Sequence, residues 1–188
     1  MTAETHPLLP RVTLITGERD TGKTTLCLAL HRHLTRRGVA VAGLITEQPE
    51  PHTLVSVELR NGQRHTLTHP FESDRGIAFT NFRLNLLALQ RSAAALRRSF
   101  PTQLFILDEL GPLELLHGEG WVEALTLLGG DDYEAALIVV RPALLAEAVR
   151  QLPPDWLTLI RLTEKNRDEV QKRLAQDILS AVDVTTRR

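Results

Sequence analysis

The sequence predicts an α/β fold, with a mostly parallel central sheet, helices packed on it and a β-hairpin inserted at its side. Short β-branched and apolar runs recur along the chain, and helical patterns fall between them. The first unit, residues 12–45, reads strand, loop, helix, strand, the crossover unit of a parallel sheet. With 188 residues, 43% of them apolar, the chain has the size of one domain with one substantial core.

The elements follow in order. Residues 1–10 carry two prolines and little pattern, and read as a loose lead-in. Val12–Thr16 (VTLIT) is a buried strand ending at Gly17. Residues 23–37 form a helix, with Leu26, Leu30 and Leu34 on one face and Gly38 ending it. Residues 39–45 are a second strand. Residues 54–60 and 63–67 alternate polar with apolar around Asn61-Gly62, a strong hairpin signal. A helix is expected over 83–98, a buried strand over 104–108, a short helix over 120–128 and a strand over 136–140. Pro142 suits the first turn of a helix running to about Gln151. A last strand, 157–162, and a closing helix, 167–182, complete the alternation.

Composition excludes several classes. The net charge of −1 offers no global field for nucleic acid or an anionic membrane, and 4% aromatics is too sparse for a base-stacking platform. Basic runs at 32–37 and 97–98 read as solvated helix faces. No apolar run approaches the roughly 20 residues of a membrane helix. The first residues lack the pattern of a secretory signal, and the lone Cys27 suits a reducing compartment, so a cytoplasmic protein is expected. Cys27 reads as a buried small hydrophobe. The seven histidines show no zinc-ligand spacing.

Gly17-Glu18-Arg19-Asp20-Thr21-Gly22-Lys23-Thr24 matches G-x-x-x-x-G-K-[ST] without a gap. Such a P-loop turns its N–H groups inward around phosphates at a positive helix N-terminus. Lys23 is placed to reach the β- and γ-phosphates, Thr24 to offer a hydroxyl to Mg²⁺, and Thr25 to reach the α-phosphate. Glu18, Arg19 and Asp20 put charges at positions that are usually small or apolar. They either pair at the rim or let Arg19 touch the nucleotide.

Residues 104–109 read LFILDE, an apolar strand that delivers Asp108 to a Mg²⁺ shell, the Walker B pattern. Glu109 is placed to deprotonate a water attacking the γ-phosphate. Glu114, one turn on, is either an indirect metal or water ligand or an ordinary loop acid. Trp121 and Trp156 read as packing residues.

These residues resemble the THEP1-type nucleoside-triphosphatases. ITGERDTGKTTL at 15–26, ILDELGPLEL at 106–115 and LTEKNRDEV at 162–170 are similar to three blocks of that family, and GLIT at 43–46 to a fourth. The resemblance implies hydrolysis of ATP, GTP and other nucleoside triphosphates to the diphosphate and phosphate. It implies a three-layer P-loop sandwich of the additional-strand, RecA-like class, in which the acid after the Walker B aspartate is the usual base. It also places Asn166 and Arg167 near the nucleotide. Asn166 with Glu169 equally matches a capping box for the last helix.

One region departs from the family. After GLIT its members usually carry E-V-R, whereas residues 47–52 read EQPEPH, a loop stiffened by two prolines and lacking the arginine. Arg64, Arg75 and Arg141 are the candidate replacements. Arg141 follows the 136–140 strand, so it belongs at the same sheet edge as the P-loop. The leading expectation is an NTP hydrolase of slow turnover. The alternatives are a small nucleoside or nucleotide kinase, and a nucleotide-binding accessory protein similar to the adaptors of molybdopterin cofactor assembly, with the hairpin carrying a protein partner.

Overall fold

The computed structural model describes residues 11–69, 77–79, 82–153 and 156–186. The elements run β1 (Val12–Thr16), α1 (Lys23–Arg36), β2 (Val41–Glu50), β3 (Thr53–Glu58), β4 (Arg64–Thr66), β5 (Thr68–His69), β6 (Ile77–Phe79), β7 (Phe82–Leu84), α2 (Leu86–Arg98), β8 (Thr102–Asp108), α3 (Pro112–His117), α4 (Glu123–Leu128), β9 (Tyr133–Val139), α5 (Leu145–Gln151), β10 (Leu157–Arg161) and α6 (Arg167–Thr186).

The main sheet has strand order β10-β1-β9-β8-β2-β3-β4. Its first five strands are parallel. β3 and β4 are antiparallel additions, so the hairpin extends this sheet rather than standing apart from it. Strand side chains alternate between faces. Ile15, Ile45, Ile106 and Leu137 pack with Leu26, Leu30 and Leu34 of α1 and Leu174 and Ile178 of α6. Their sequence neighbours Leu14, Leu44, Phe105 and Ile138 face the other way, onto Leu96 of α2, Leu128 of α4 and Ala148 of α5. The result is three layers, as expected.

Register brings the strand ends level. Ile45 pairs with Asp108, Leu107 with Ile138, Ile15 with Val139 and Thr16 with Arg161. The carboxyl edge is where open α/β sheets hold ligands. Gly43 makes the β2–β8 contact: at φ +119°, a Cβ there would lie 1.9 Å from the Ile106 carbonyl oxygen.

Several expectations need correction. Residues 47–52 are mostly strand, since β2 runs on to Glu50, with its register shift between Glu47 and Glu50. Only the turn at Pro51-His52 is loop. The helix expected from residue 83 begins at Leu86, because Asn85 caps it by accepting the Ala88 N–H at 3.1 Å, and β7 occupies 82–84. The small β5-β7-β6 sheet has no counterpart in the expected elements. Neither does α3, which starts with Pro112 in its first turn. The helix placed at 120–128 begins at Glu123, after Gly120 has turned at φ +65°.

Candidate active site

β1 ends at Thr16, and the chain loops through Gly17-Glu18-Arg19-Asp20-Thr21-Gly22 into α1. Gly17 is forced by crowding: a Cβ would lie 2.4 Å from the Leu162 carbonyl oxygen, at the end of β10. Gly22 is forced by conformation, because it caps α1 at φ 87° and ψ 29° in the left-handed region. Within the loop, the Thr21 hydroxyl donates to the Glu18 carbonyl at 2.9 Å. The Lys23 ammonium donates to the Gly17 and Glu18 carbonyls at 2.8 and 2.6 Å, so it arches over the concave side of the loop. Glu18, Arg19 and Asp20 are exposed, and Arg19 lies 3.7 Å from Asp20 in a rim pair. Thr25 is exposed on the first turn of α1.

Asp108 ends β8 and is buried, with 3% of its surface accessible. Burial raises its pKa to about 6, against a hydrogen bond from Thr24 and the charge of Lys23 that lower it. Its Oδ2 is buried without a hydrogen-bond partner. An orphaned carboxylate oxygen beside a threonine hydroxyl suits a small hard cation that draws its other ligands from phosphate and water. Thr24 and Asp108 are therefore the pair that could hold Mg²⁺.

Glu109 follows across a cis peptide. Arg141, two residues past the end of β9, holds both of its carboxylate oxygens: Nε donates to one and Nη2 to the other, at 3.2 Å for the second. The expected placement of Arg141 at this edge is what the structure shows. The other candidate arginines differ. Arg64 donates to Glu47 at 2.7 Å, joining β4 to β2. Arg75 lies outside the described residues.

On the opposite flank, Arg167 lies against Gly22, with its Nη1 2.7 Å from where a Cβ would be. Asn166 shapes the turn before α6. Its side-chain oxygen accepts the Thr163 N–H at 2.8 Å and its amide donates to the Arg161 carbonyl at 3.0 Å. The capping-box reading is thus replaced, since that oxygen turns back to Thr163 rather than forward to the helix.

Glu114 is structural. Its two oxygens accept the N–H groups of Gly111 and Trp121 at 3.0 and 2.9 Å, tying the N-terminus of α3 to the segment that leads into α4. Burial pushes its carboxyl up, opposed by backbone N–H groups. Trp121 is buried, and its ring N–H donates to Ser92 at 2.9 Å. Cys27 is fully buried, and burial pushes its thiol well up, as fits an inert core residue. Thr46 escaped the sequence reading. It follows Ile45, the register partner of Asp108, and so lies beside Glu109. Position in GLIT was the available signal.

A glycine loop between β1 and α1, with β9 set between the loop strand and the acidic strand β8, defines a P-loop NTPase of the additional-strand class. The model of the family described as NTPase matches residues 12–175, and the chain belongs to that family. Two relatives, each named nucleoside-triphosphatase THEP1, match over nearly their whole length. The one from Methanopyrus kandleri is 29% identical over 91% of this chain and 97% of its own. That from Thermofilum pendens is 28% identical over 90% and 96%. The crystal structure of THEP1 from Aquifex aeolicus shares the fold, with a TM-score of 0.61 at 21% identity over 87% of this chain and 96% of that one.

Among the described residues, no helix is long and apolar enough to cross a membrane.

Proposed function

We propose that the chain hydrolyses nucleoside triphosphates, ATP and GTP among them, to the diphosphate and phosphate in the presence of Mg²⁺. The observation that carries this reading is the Asp108 carboxylate, bonded to Thr24 of the loop helix and orphaned at Oδ2, with Glu109 beside it.

The residues divide the work by position. The N–H groups around Gly17 and Gly22 cradle the phosphates, with Glu18, Arg19, Asp20 and Thr21 forming the loop between. Lys23 exchanges its loop carbonyls for β- and γ-phosphate oxygens. Thr25 meets the α-phosphate, and Arg167, over Gly22, adds positive charge on that flank. Thr24 and Asp108 would hold Mg²⁺, which when bound would neutralise negative charge on the triphosphate. Glu109 takes the proton of the attacking water as its oxygen bonds to the γ-phosphorus. The bond from that phosphorus to the β,γ-bridging oxygen breaks, and its electron pair leaves with the diphosphate. Arg141 fixes the direction of the Glu109 carboxylate. Asn166 fixes the turn that carries Arg167.

Phosphate release across a nucleotide panel tests this. Lys23→Ala is expected to lose nucleotide binding. Glu109→Gln is expected to bind normally and turn over roughly 10²-fold slower or worse, the scale of a lost general base. Equal rates in Glu109→Gln would remove Glu109 from that role.

A further inference from the structure

Beside Glu109 the molecule has a cavity of about 190 Å³. Its apolar walls are Leu54 and Leu67 of the hairpin region, Leu84 of β7, Leu89 of α2 and the Trp121 side chain. Thr46, Glu109 and Arg141 reach it from the carboxyl edge of the sheet. No residue of the loop at 17–24, nor of the turn before α6, lines it. A nucleotide held by the P-loop therefore leaves this room free.

The strand order explains the placement. The loop rises from β1, Glu109 follows β8, and the cavity extends from β8 past β2 toward β3 and β4. Glu109 thus stands between the triphosphate side and the cavity. Hydrolysis needs space for one water beside the base, whereas a chamber walled by leucines and a tryptophan fits an organic body.

We propose that this cavity binds a small, neutral alcohol with an apolar body, and that the γ-phosphoryl group is transferred to its hydroxyl. The inference rests on the reading of Glu109 as the group facing the γ-phosphate. The acceptor is small because the cavity falls below the roughly 300–1,000 Å³ of drug-sized ligand sites. It is neutral because the described residues of the lining offer no unpaired charge: Glu109 and Arg141 pair with each other, and both Glu114 oxygens are taken by backbone N–H groups. It carries a hydroxyl because Glu109 accepts a proton and the Thr46 hydroxyl is at hand to orient an oxygen.

The step balances without any further reagent. The alcohol gives its proton to the Glu109 carboxylate, and the alcohol oxygen forms a bond to the γ-phosphorus. The bond from that phosphorus to the β,γ-bridging oxygen breaks, its electron pair leaves with the diphosphate, and the alcohol leaves as its phosphate monoester.

The test incubates the full chain with Mg²⁺ and ATP together with hexanol, benzyl alcohol or, as a polar control, glycerol. Phosphorus NMR separates monoester from free phosphate. Monoester is expected from the apolar alcohols and not from glycerol. Leu89→Phe and, independently, Leu54→Phe are each expected to lower the ratio of monoester to free phosphate by roughly tenfold or more, the scale of a misfit in an apolar pocket. Two variants are used because either could disturb folding, which circular dichroism checks. Free phosphate alone, whether or not the alcohols slow its release, overturns the transfer and leaves hydrolysis standing. Monoester formation at an unchanged ratio in both folded variants overturns the cavity assignment. Absence of both products overturns this inference and the hydrolytic reading together.

Discussion

The guanidinium of Arg141 grips both carboxylate oxygens of Glu109, joining the second residue after β9 to the first residue after β8. Glu109 is partly exposed, at 26% of its side chain, so without this contact its carboxylate would sample several rotamers. Arg141→Ala is expected to lower kcat by roughly 10²-fold, the cost of misplacing a reacting group by about an ångström, with a much smaller change in KM. Arg141→Lys restores charge but not the two-point fork, so only part of the rate returns. Full recovery in the lysine variant would show that charge, not orientation, is what matters.

Asp108 makes stability depend on pH in the metal-free chain. Burial lifts its pKa from the ordinary 3.8 to about 6, so the folded state favours the protonated form. Its contribution is therefore fully present below about pH 4 and is lost as the pH rises through about 6. Asp108→Asn removes that loss. In EDTA the variant is expected to be more stable than wild type at pH 8, by up to roughly 3 kcal/mol, since each tenfold change in proton affinity between folded and unfolded chain is worth about 1.4 kcal/mol. The advantage should vanish near pH 4. Urea denaturation of both proteins across this range checks it, and a difference that does not vary with pH is the adverse result.

Arg167 is expected to act on binding rather than on turnover, because it lies against Gly22 and away from Glu109. Arg167→Ala should weaken the affinity for a non-hydrolysable triphosphate by about 1.5–3 kcal/mol, the usual worth of a hydrogen bond to a charged group. Calorimetric titration reads this directly. An unchanged Kd would reduce Arg167 to a surface residue.

Gly43 tests the fold beneath the site. Gly43→Ala places a methyl group 1.9 Å from the Ile106 carbonyl oxygen and under 3 Å from the Ile106 carbonyl carbon and N, at a positive φ. A loss above about 4 kcal/mol is expected, since the β2–β8 pairing must open. A melting temperature close to wild type would mean that the two strands separate more easily than their register suggests.

The parallel core and the loop at 17–22 are legible in the sequence because each is a local pattern: apolar runs of strand length, and glycines at fixed spacing before a lysine. Asp108 and Glu109 are legible for the same reason. The rest depends on which backbone groups and strands each segment meets once the chain is folded. Nothing near Glu114 says that its oxygens serve Gly111 and Trp121, the latter seven residues on. The β5-β7-β6 sheet is built from strands of two or three residues, too short for an alternation to register. Pro49 and Pro51 suggest a loop at 47–52, yet β2 continues to Glu50 because β3 folds back upon it. Arg141 can be placed at the right edge from its strand alone, but its pairing with Glu109 requires the strand order β9-β8, which no single segment encodes.

Thr46, Asp108 and Arg141 each fall at or within two residues of a parallel strand's paired stretch. Their directions are thus counted off by the pleat from the strands' buried ends. One residue inserted within β8 or β9 would turn every later side chain of that strand to the opposite face and carry the site residue with it. One residue added at the Asn61-Gly62 turn leaves those counts untouched. A change of chain length at the hairpin or a helix connection therefore leaves the site in place, whereas a change within β8 or β9 displaces the chemistry at its end.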